Sequence, residues 1–228
     1  NKKTSTKDLK LSRNERLEIS NLSIFKPEKI SSLISSDFKF FTFNAGFKKK
    51  NKDLLIIIFD IPVNVHCVYS LTSTPSAPII WDKKNNKGKC KALIVNSGNA
   101  NAHTGRKGLK IIDKYVSELI KKVKCKKEEV LVSSTGVIGE IFKPDLIIKS
   151  INKINKMQTT DLVGAAEAIM TTDTFPKTCI KKVEIENEKI KIYGFAKGSG
   201  MIQPNMGTML VYIFIEGLIN KFQLKKLI

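Results

Sequence analysis

Apolar and polar residues form short blocks along most of the chain, a pattern that predicts a compact α/β protein. Continuous apolar runs at residues 54–59 and 209–215 have the length of buried strands, and we expect Pro62 to end the first of them. Residues 66–73 alternate well enough to predict another strand. The proline-containing residues 74–80 that follow are expected to be a connector.

Strands that lead into loops and then into helices make up the next part of the pattern. A strand at residues 92–96 precedes an amphipathic helix, whose apolar face is predicted to contain Leu109, Ile112, Val116, Leu119, Ile120 and Val123. A strand at residues 130–133 precedes a helix after Pro144, and another helix is predicted at residues 161–170. Residues 181–198 predict a hairpin with its turn near residues 187–189.

Residues 1–43 differ from the rest because they are rich in Lys and Ser and have weak periodicity. We interpret them as an extension or a loosely packed helical pair, and assign them no chemistry. The chain opens on Asn1 rather than Met and has no apolar signal segment, so a fragment or a processed chain is expected.

The net charge of +19 is compatible with nucleic acid as a partner, but the kind of basic residue is not. Only three of the 40 basic residues are Arg, whereas base readout favours the Arg fork. We therefore expect no nucleic-acid partner, and anionic small substrates remain compatible with the charge.

The cysteines and the apolar runs exclude two other classes. The four cysteines are scattered without a CxxC pair, so reduced thiols and no metal site are expected. No apolar run approaches the roughly 18 to 20 residues that a membrane-spanning helix needs, so no membrane partner is expected.

Four apolar segments each end in a loop of small and hydroxylated residues. We call these the first loop (residues 96–105, "NSGNANAHTG"), the second loop (133–140, "SSTGVIGE"), the third loop (171–177, "TTDTFPK") and the fourth loop (197–208, "KGSGMIQPNMGT"). Binding loops gather at strand ends in α/β folds because a rigid sheet positions them.

Taken singly, each loop also has an ordinary structural interpretation as a turn or a helix cap. None has the spacing of the phosphate-binding or dinucleotide-binding glycine motifs. The two histidines add little, since His66 falls in a predicted strand and His103 alone lies in a candidate loop. Neither supports a Ser-His-Asp or Cys-His site.

Taken together and in this order, the loops resemble the glutamate N-acetyltransferase/ornithine acetyltransferase family of arginine biosynthesis. The similarity runs from about Asn44 to Ile228. It implies a layered αββα sandwich of the N-terminal-nucleophile type with a smaller α/β lobe. It also implies an α-chain-like region at residues 44–207 and the start of a β-chain-like region at residues 208–228.

Members of that family cleave themselves before the Thr of a "PNM-x-T-M-L" motif, which here lies between Gly207 and Thr208. The resemblance implies acetyl transfer from N²-acetylornithine to glutamate through an acetyl-Thr208 ester. A Thr hydroxyl is a weak nucleophile, and the new α-amine, which titrates near 8, is a base that needs no histidine.

The same resemblance implies roles for other loop residues. Thr135 and Gly136 would form the oxyanion hole. Thr171 and Lys197, together with Thr208, would bind substrate, with Thr172 as an alternative to Thr171. An ammonium at Lys197 suits the α-carboxylate that both amino-acid substrates carry.

The sequence departs from the family pattern in three places. Gly207 stands where Ala is usual before the nucleophile, and His103 stands where Cys is usual in the first loop. The chain also ends 20 residues after Thr208, before the later acidic and polar site residues of the family. A fragment, or a second part elsewhere, is therefore expected.

The resemblance implies no metal or prosthetic group, although some members accept acetyl-CoA as a substrate. It implies α and β chains from self-cleavage, assembled as α₂β₂, in the cytoplasm or in an organelle. An aminopeptidase or amidase on the same fold, and an inactive truncated chain, are the alternatives.

Overall fold

A computed structural model describes residues 37–185, 188–200, 209–217 and 219–227. Strands and helices alternate irregularly along the chain. They are β1 (Phe38–Phe43), β2 (Leu54–Asn64), α1 (Ala77–Asn85), β3 (Lys89–Asn99), α2 (Gly105–Val123), β4 (Val130–Val137), α3 (Asp145–Lys153), α4 (Leu162–Ile169), β5 (Lys177–Ile185), β6 (Glu188–Lys197), β7 (Leu210–Glu216) and α5 (Lys221–Leu227). Short 3₁₀ turns at Lys127–Glu129 and Ile154–Lys156 complete the set.

The strands form two sheets. The first has the order β1-β2-β3-β4, antiparallel except for the parallel pair β3 and β4, which α2 connects. The second is an antiparallel sheet with the order β5-β6-β7. The parallel pair matters for function, because the carboxyl ends of parallel neighbours lie at the same edge of a sheet.

Apolar residues on both faces of the first sheet explain its continuous hydrophobic runs. Leu54 and Ile56 face a cluster formed with α1, α2 and α3, while Leu55 and Ile57 face a second cluster. That second cluster contains α4 and the inner face of the second sheet, including Phe195. Helices, first sheet and second sheet are thus successive layers, and the layered α/β sandwich is confirmed.

Most of the predicted elements are present, and β3 and β4 are longer than predicted. The helix after the first loop is α2, and all six residues of its predicted apolar face lie in or against the helix-side cluster. The strand at 130–133 is β4, the helices after Pro144 and at 161–170 are α3 and α4, and the hairpin is β5 with β6.

Pro62 does not end β2, contrary to the sequence prediction. The strand continues to Asn64, and Pro62 falls where the pairing of β2 with β3 is interrupted between Ile58 and Val63. Proline is tolerated at such a bulge because no ladder hydrogen bond is needed from its nitrogen.

Two further predictions in this part of the chain were wrong, and one strand was missed. Residues 66–73 form no strand, and the expected connector contains α1, which has Pro78 in its first turn where a missing N–H is tolerated. β1 lies within the stretch assigned to the N-terminal extension, yet it is a buried strand of the first sheet. Residues 1–36 lie outside the described ranges.

The described ranges contain neither a membrane-spanning helix nor a cluster of metal ligands. No helix there is long and apolar enough to cross a membrane. No group of three or more His, Cys, Asp or Glu side chains within these ranges could hold a metal ion. All four cysteines are free thiols.

Candidate active site

The parallel strands β3 and β4 bring the first and second loops together. Gly98 pairs with Gly136, and the Ser134 hydroxyl lies 2.6 Å from the Asn96 side-chain oxygen. Gly136 has a φ of +129°, and a Cβ there would be 2.3 Å from the carbonyl carbon of Gly98. Only glycine fits such a close approach of two backbones, which explains the Gly in each loop.

Thr135 and Lys197 meet between the two sheets. Thr135 is 1% exposed, and its Oγ1 accepts a hydrogen bond of 3.2 Å from Nζ of Lys197, which is 3% exposed and ends β6. Because an ammonium only donates, the Thr135 hydroxyl is the acceptor in this contact. Its own hydrogen is therefore available for another acceptor.

The carboxylate of Asp173 joins the third loop to the fourth. Its Oδ1 accepts the backbone N–H of Gly198 and Nζ of Lys177, both at 2.7 Å, and its Oδ2 accepts the N–H of Thr171 at 3.3 Å. Burial alone would raise the pKa of Asp173, but the hydrogen bonds from Lys177, Gly198 and Thr171 lower it below its ordinary value. The group is thus held as a carboxylate.

Two more hydrogen bonds anchor the loops of this region. The Ser97 hydroxyl donates to the carbonyl of Ala168 at 2.6 Å, which ties the first loop to the end of α4. Nζ of Lys48 donates to the carbonyl of Met170, also at 2.6 Å, just before the third loop. Asp53 holds the Lys48 turn, since its carboxylate accepts the backbone N–H of Ala45, Gly46 and Lys48.

Positive charge exceeds negative charge around Lys197. Burial lowers its pKa and the charge of Lys177 lowers it further, whereas the charge of Asp173 opposes both. Burial also lowers the pKa of Lys48. The charge of Lys197 lowers it further, whereas the charges of Asp53 and Asp173 raise it. The ammonium groups of Lys48, Lys177 and Lys197 outnumber the carboxylates of Asp53 and Asp173 among these residues, which suits an anionic ligand such as an amino-acid carboxylate.

The structure brings four of the sequence-predicted site residues into this connected region, namely Thr135, Gly136, Thr171 and Lys197. Thr171 is half-buried, and its neighbour Thr172 is exposed. Gly207 and Thr208, the predicted cleavage pair, lie outside the described residues. Sequence reasoning missed three residues that organise the region, Ser97, Lys48 and Asp173.

Neither histidine lies in these contacts. His103 is exposed before α2, with a φ of +55°. His66 lines a separate cavity of about 270 Å³ between the end of β2 and α1, with Cys67, Tyr69 and Asp82. None of the predicted site residues lines that cavity, which is therefore separate from the region around Lys197.

The layered sheets, with the first three loops and the start of the fourth beside one another, form a sandwich of the N-terminal-nucleophile-like type. The chain belongs to the ArgJ family, whose model matches residues 39–228.

Relatives named as arginine biosynthesis bifunctional protein ArgJ include one from Bartonella henselae, 39% identical over 93% of this chain and 52% of its own. Another, from Caldanaerobacter subterraneus, is 40% identical over 80% of this chain and 46% of its own. The present chain thus spans about half the length of these curated relatives.

Solved structures agree with the family. The arginine biosynthesis bifunctional protein of Bacillus halodurans matches with a TM-score of 0.68 and 33% identity, over 77% of this chain and 92% of that one. The ornithine acetyltransferase of Mycobacterium tuberculosis, solved with ornithine, matches with a TM-score of 0.61 and 27% identity, over 74% and 92%.

Proposed function

We propose that this chain forms the larger part of the nucleophile-bearing site of an acetyltransferase. In the complete protein, the enzyme would move an acetyl group from N²-acetylornithine to glutamate through an ester on Thr208. The observation that carries the proposal is the buried contact of Lys197 with Thr135, at the strand end from which the fourth loop leads to Thr208. The names of the relatives support the same reaction class.

The pairing of β6 with β7 supports Thr208 as the reacting residue. Lys197 is opposite Leu210 in this antiparallel pair, and Leu210 is two residues from Thr208 along the chain. Leu210, Tyr212 and Phe214 pack into the cluster between the sheets, whereas Val211 and Ile213 are exposed. The chain is therefore opposite Lys197 within two residues of Thr208.

Cleavage between Gly207 and Thr208 would create a base next to the hydroxyl, the α-amine of Thr208. The α-amine of Thr208 would accept the hydroxyl proton as the oxygen attacks the donor's acetyl carbon.

The length of a solved relative supports such cleavage. The Bacillus halodurans match spans 77% of the 228 residues and 92% of that chain, which gives the solved chain about 190 residues. The 216 matched residues are 52% of the Bartonella relative, which therefore has about 415, and a solved chain under half that length supports cleavage in the family.

The described residues suit the charges of the reaction. The Thr135 hydroxyl, which accepts from Lys197, has its hydrogen for the oxyanion, and the backbone N–H of Gly136 would be the second donor. The Lys197 ammonium would pair with the substrate α-carboxylate, with Thr171 or Thr172 beside it. Each pre-placed oxyanion donor contributes about 3 kcal/mol to such reactions.

The two half-reactions balance without a cofactor. The Thr208 oxygen bonds to the acetyl carbon while the carbon–nitrogen bond of the donor breaks, and the proton held by the α-amine passes to the departing ornithine nitrogen. The glutamate amine then bonds to the same carbon, the ester breaks, and the proton released from the glutamate nitrogen returns to the Thr208 oxygen.

Further expectations concern the assembled protein. The two cleaved chains would assemble as α₂β₂, with acetyl-CoA as an additional donor substrate and no prosthetic group. A location in the cytoplasm or in an organelle completes the proposal.

The partition of the acetyl group tests the transferase against a hydrolase on the same fold. The full-length gene product is given N²-acetylornithine with and without glutamate, and N-acetylglutamate and free acetate are measured. We expect glutamate to divert the acetyl group to N-acetylglutamate and to speed ornithine release, because its amine outcompetes water for the ester. Acetate formation at one rate, whether or not glutamate is present, would identify an amidase instead.

A further inference from the structure

The Asp173 side chain lies at the junction of three segments. It is 0% exposed, and its two oxygens contact the third loop at Thr171, the start of β5 at Lys177 and, just after β6, the fourth loop at Gly198. Two of these contacts go to backbone N–H groups. Thr171 is itself a predicted substrate residue, and Gly198 directly follows Lys197.

An ordinary structural role would require only the ion pair between Asp173 and Lys177. Lys177, whose side chain is 33% exposed, reaches a buried carboxylate from four residues away. The contacts to Thr171 and Gly198 do something different, because they fix the backbone beside two predicted substrate residues from opposite sides. A hydrogen bond to a charged acceptor is stronger than one between neutral groups, so these contacts hold the two backbone segments in place.

The charges that face this junction come from several elements. Lys48 lies in the turn between β1 and β2, Lys177 on β5 and Lys197 on β6, and the charge of Asp53 acts on Lys48. Of the two carboxylates, Asp173 is the one whose charge acts on Lys197. Lys177 acts on Lys197 with the opposite sign.

We propose that Asp173 is a positioning residue, which holds the backbone at Thr171 and at Gly198 and thereby fixes Thr171 and Lys197 relative to each other. The inference rests on the proposed function, in which Lys197 binds the substrate carboxylate. Asp173 is not expected to touch substrate, since its oxygens are occupied by Lys177, Gly198 and Thr171.

Asp173→Asn tests this role because an amide cannot replace all three contacts. Both oxygens of Asp173 accept, so the amide NH₂ would face at least one N–H donor. We expect kcat/KM to fall by about 10- to 100-fold, mainly through KM, as a displaced substrate-binding group does. The matched control is Asp161→Asn, which keeps a side-chain cap on α4 away from the site and should leave kcat/KM unchanged.

The pH dependence provides a readout that a purely structural role would not move. Loss of the Asp173 charge lowers the pKa of Lys197, so the basic limb of kcat/KM should move to lower pH. Lys177→Met removes a repelling charge, which raises the pKa of Lys197 and should move that limb to higher pH. The two variants are thus expected to shift the limb in opposite directions.

The pKa of Lys197 is also measured without activity, from the pH dependence of its amine modification followed by peptide mass spectrometry. Full-length wild type, Asp173→Asn, Lys177→Met and Asp161→Asn are compared. Opposite shifts for Asp173→Asn and Lys177→Met, with Asp161→Asn at the wild-type value, are the expected result. If Asp173→Asn does not fold, the upward shift in Lys177→Met decides.

An unchanged Lys197 titration in Lys177→Met, or equal losses of kcat/KM in Asp173→Asn and Asp161→Asn, would overturn the inference. Failure of the proposed function would look different. In that case the wild type itself would transfer no acetyl group, whereas the titration of Lys197 would still respond to Asp173 and Lys177.

Discussion

Thr208→Ala in the full-length protein is expected to abolish both self-cleavage and acetyl transfer. Alanine has no hydroxyl to attack the preceding peptide carbonyl, and none to carry the acetyl group. Loss of a nucleophile reduces kcat by about 10⁶-fold in well-studied hydrolases, so transfer should fall below detection. Electrophoresis of the purified protein and an assay of N-acetylglutamate formation measure the two effects.

Two controls accompany this variant. Thr208→Ser keeps a hydroxyl and should retain cleavage and measurable transfer. Thr72→Ala alters an exposed Thr in the segment before α1 and should behave as wild type. A Thr208→Ala protein that still splits, or still makes N-acetylglutamate, would rule out Thr208 as the nucleophile.

Lys197→Met is expected to leave self-cleavage detectable and to lower kcat/KM by about 10²-fold, the scale of losing one partner of a buried charge pair. Met fills a similar volume, but it lacks the ammonium that would hold the substrate carboxylate and that donates to Thr135. Steady-state kinetics with both substrates should show the loss mainly as a higher KM.

The pH profile sharpens the same prediction. Burial lowers the pKa of Lys197, Lys177 lowers it further, and Asp173 opposes them, so the pKa lies below that of an ordinary lysine. Because the protonated form would bind substrate, wild-type kcat/KM should decline as pH rises through that pKa. Lys197→Met should lack this basic limb, and Lys50→Met, at an exposed turn, should keep it. An unchanged KM in Lys197→Met would contradict substrate binding by Lys197.

The spacing of apolar residues was sufficient to predict the helices and strands whose burial follows a regular pattern along the chain. The apolar positions of α2 recur at helical spacing because one side of that helix packs on the first sheet. The apolar run of β2 is continuous because both of its faces are covered. Neither inference needed a distant contact.

The missed elements lacked such a pattern. α1 has Pro78 in its first turn and weak amphipathicity, so this stretch resembled a connector, although a helix tolerates proline at that position. The alternation at residues 66–73 had no partner strand, and a strand forms only where a ladder is available. β1 depends on pairing with β2, which its short sequence alone does not reveal.

The candidate site was accessible from sequence only through the combination of its loops. Thr135 and Lys197 are 62 residues apart, and no spacing rule joins them before the sheets stack. Lys48 reaches Met170 across 122 residues, and it belongs to a lysine-rich turn that resembles ordinary solvated surface. Asp173 had one signal, as the lone acid in the third loop, but its three partners appear only in the folded chain.

The most direct test of the account is to find where the acetyl group is carried. The full-length wild-type protein is incubated with N²-acetylornithine in the absence of glutamate, and its intact masses and peptides are then analysed. We expect two chains that separate between Gly207 and Thr208, with one acetyl group on the peptide that begins at Thr208, and loss of that acetyl group when glutamate is added. A single uncleaved chain that still transfers acetyl groups, or an acetyl group on another residue that glutamate removes, would contradict it.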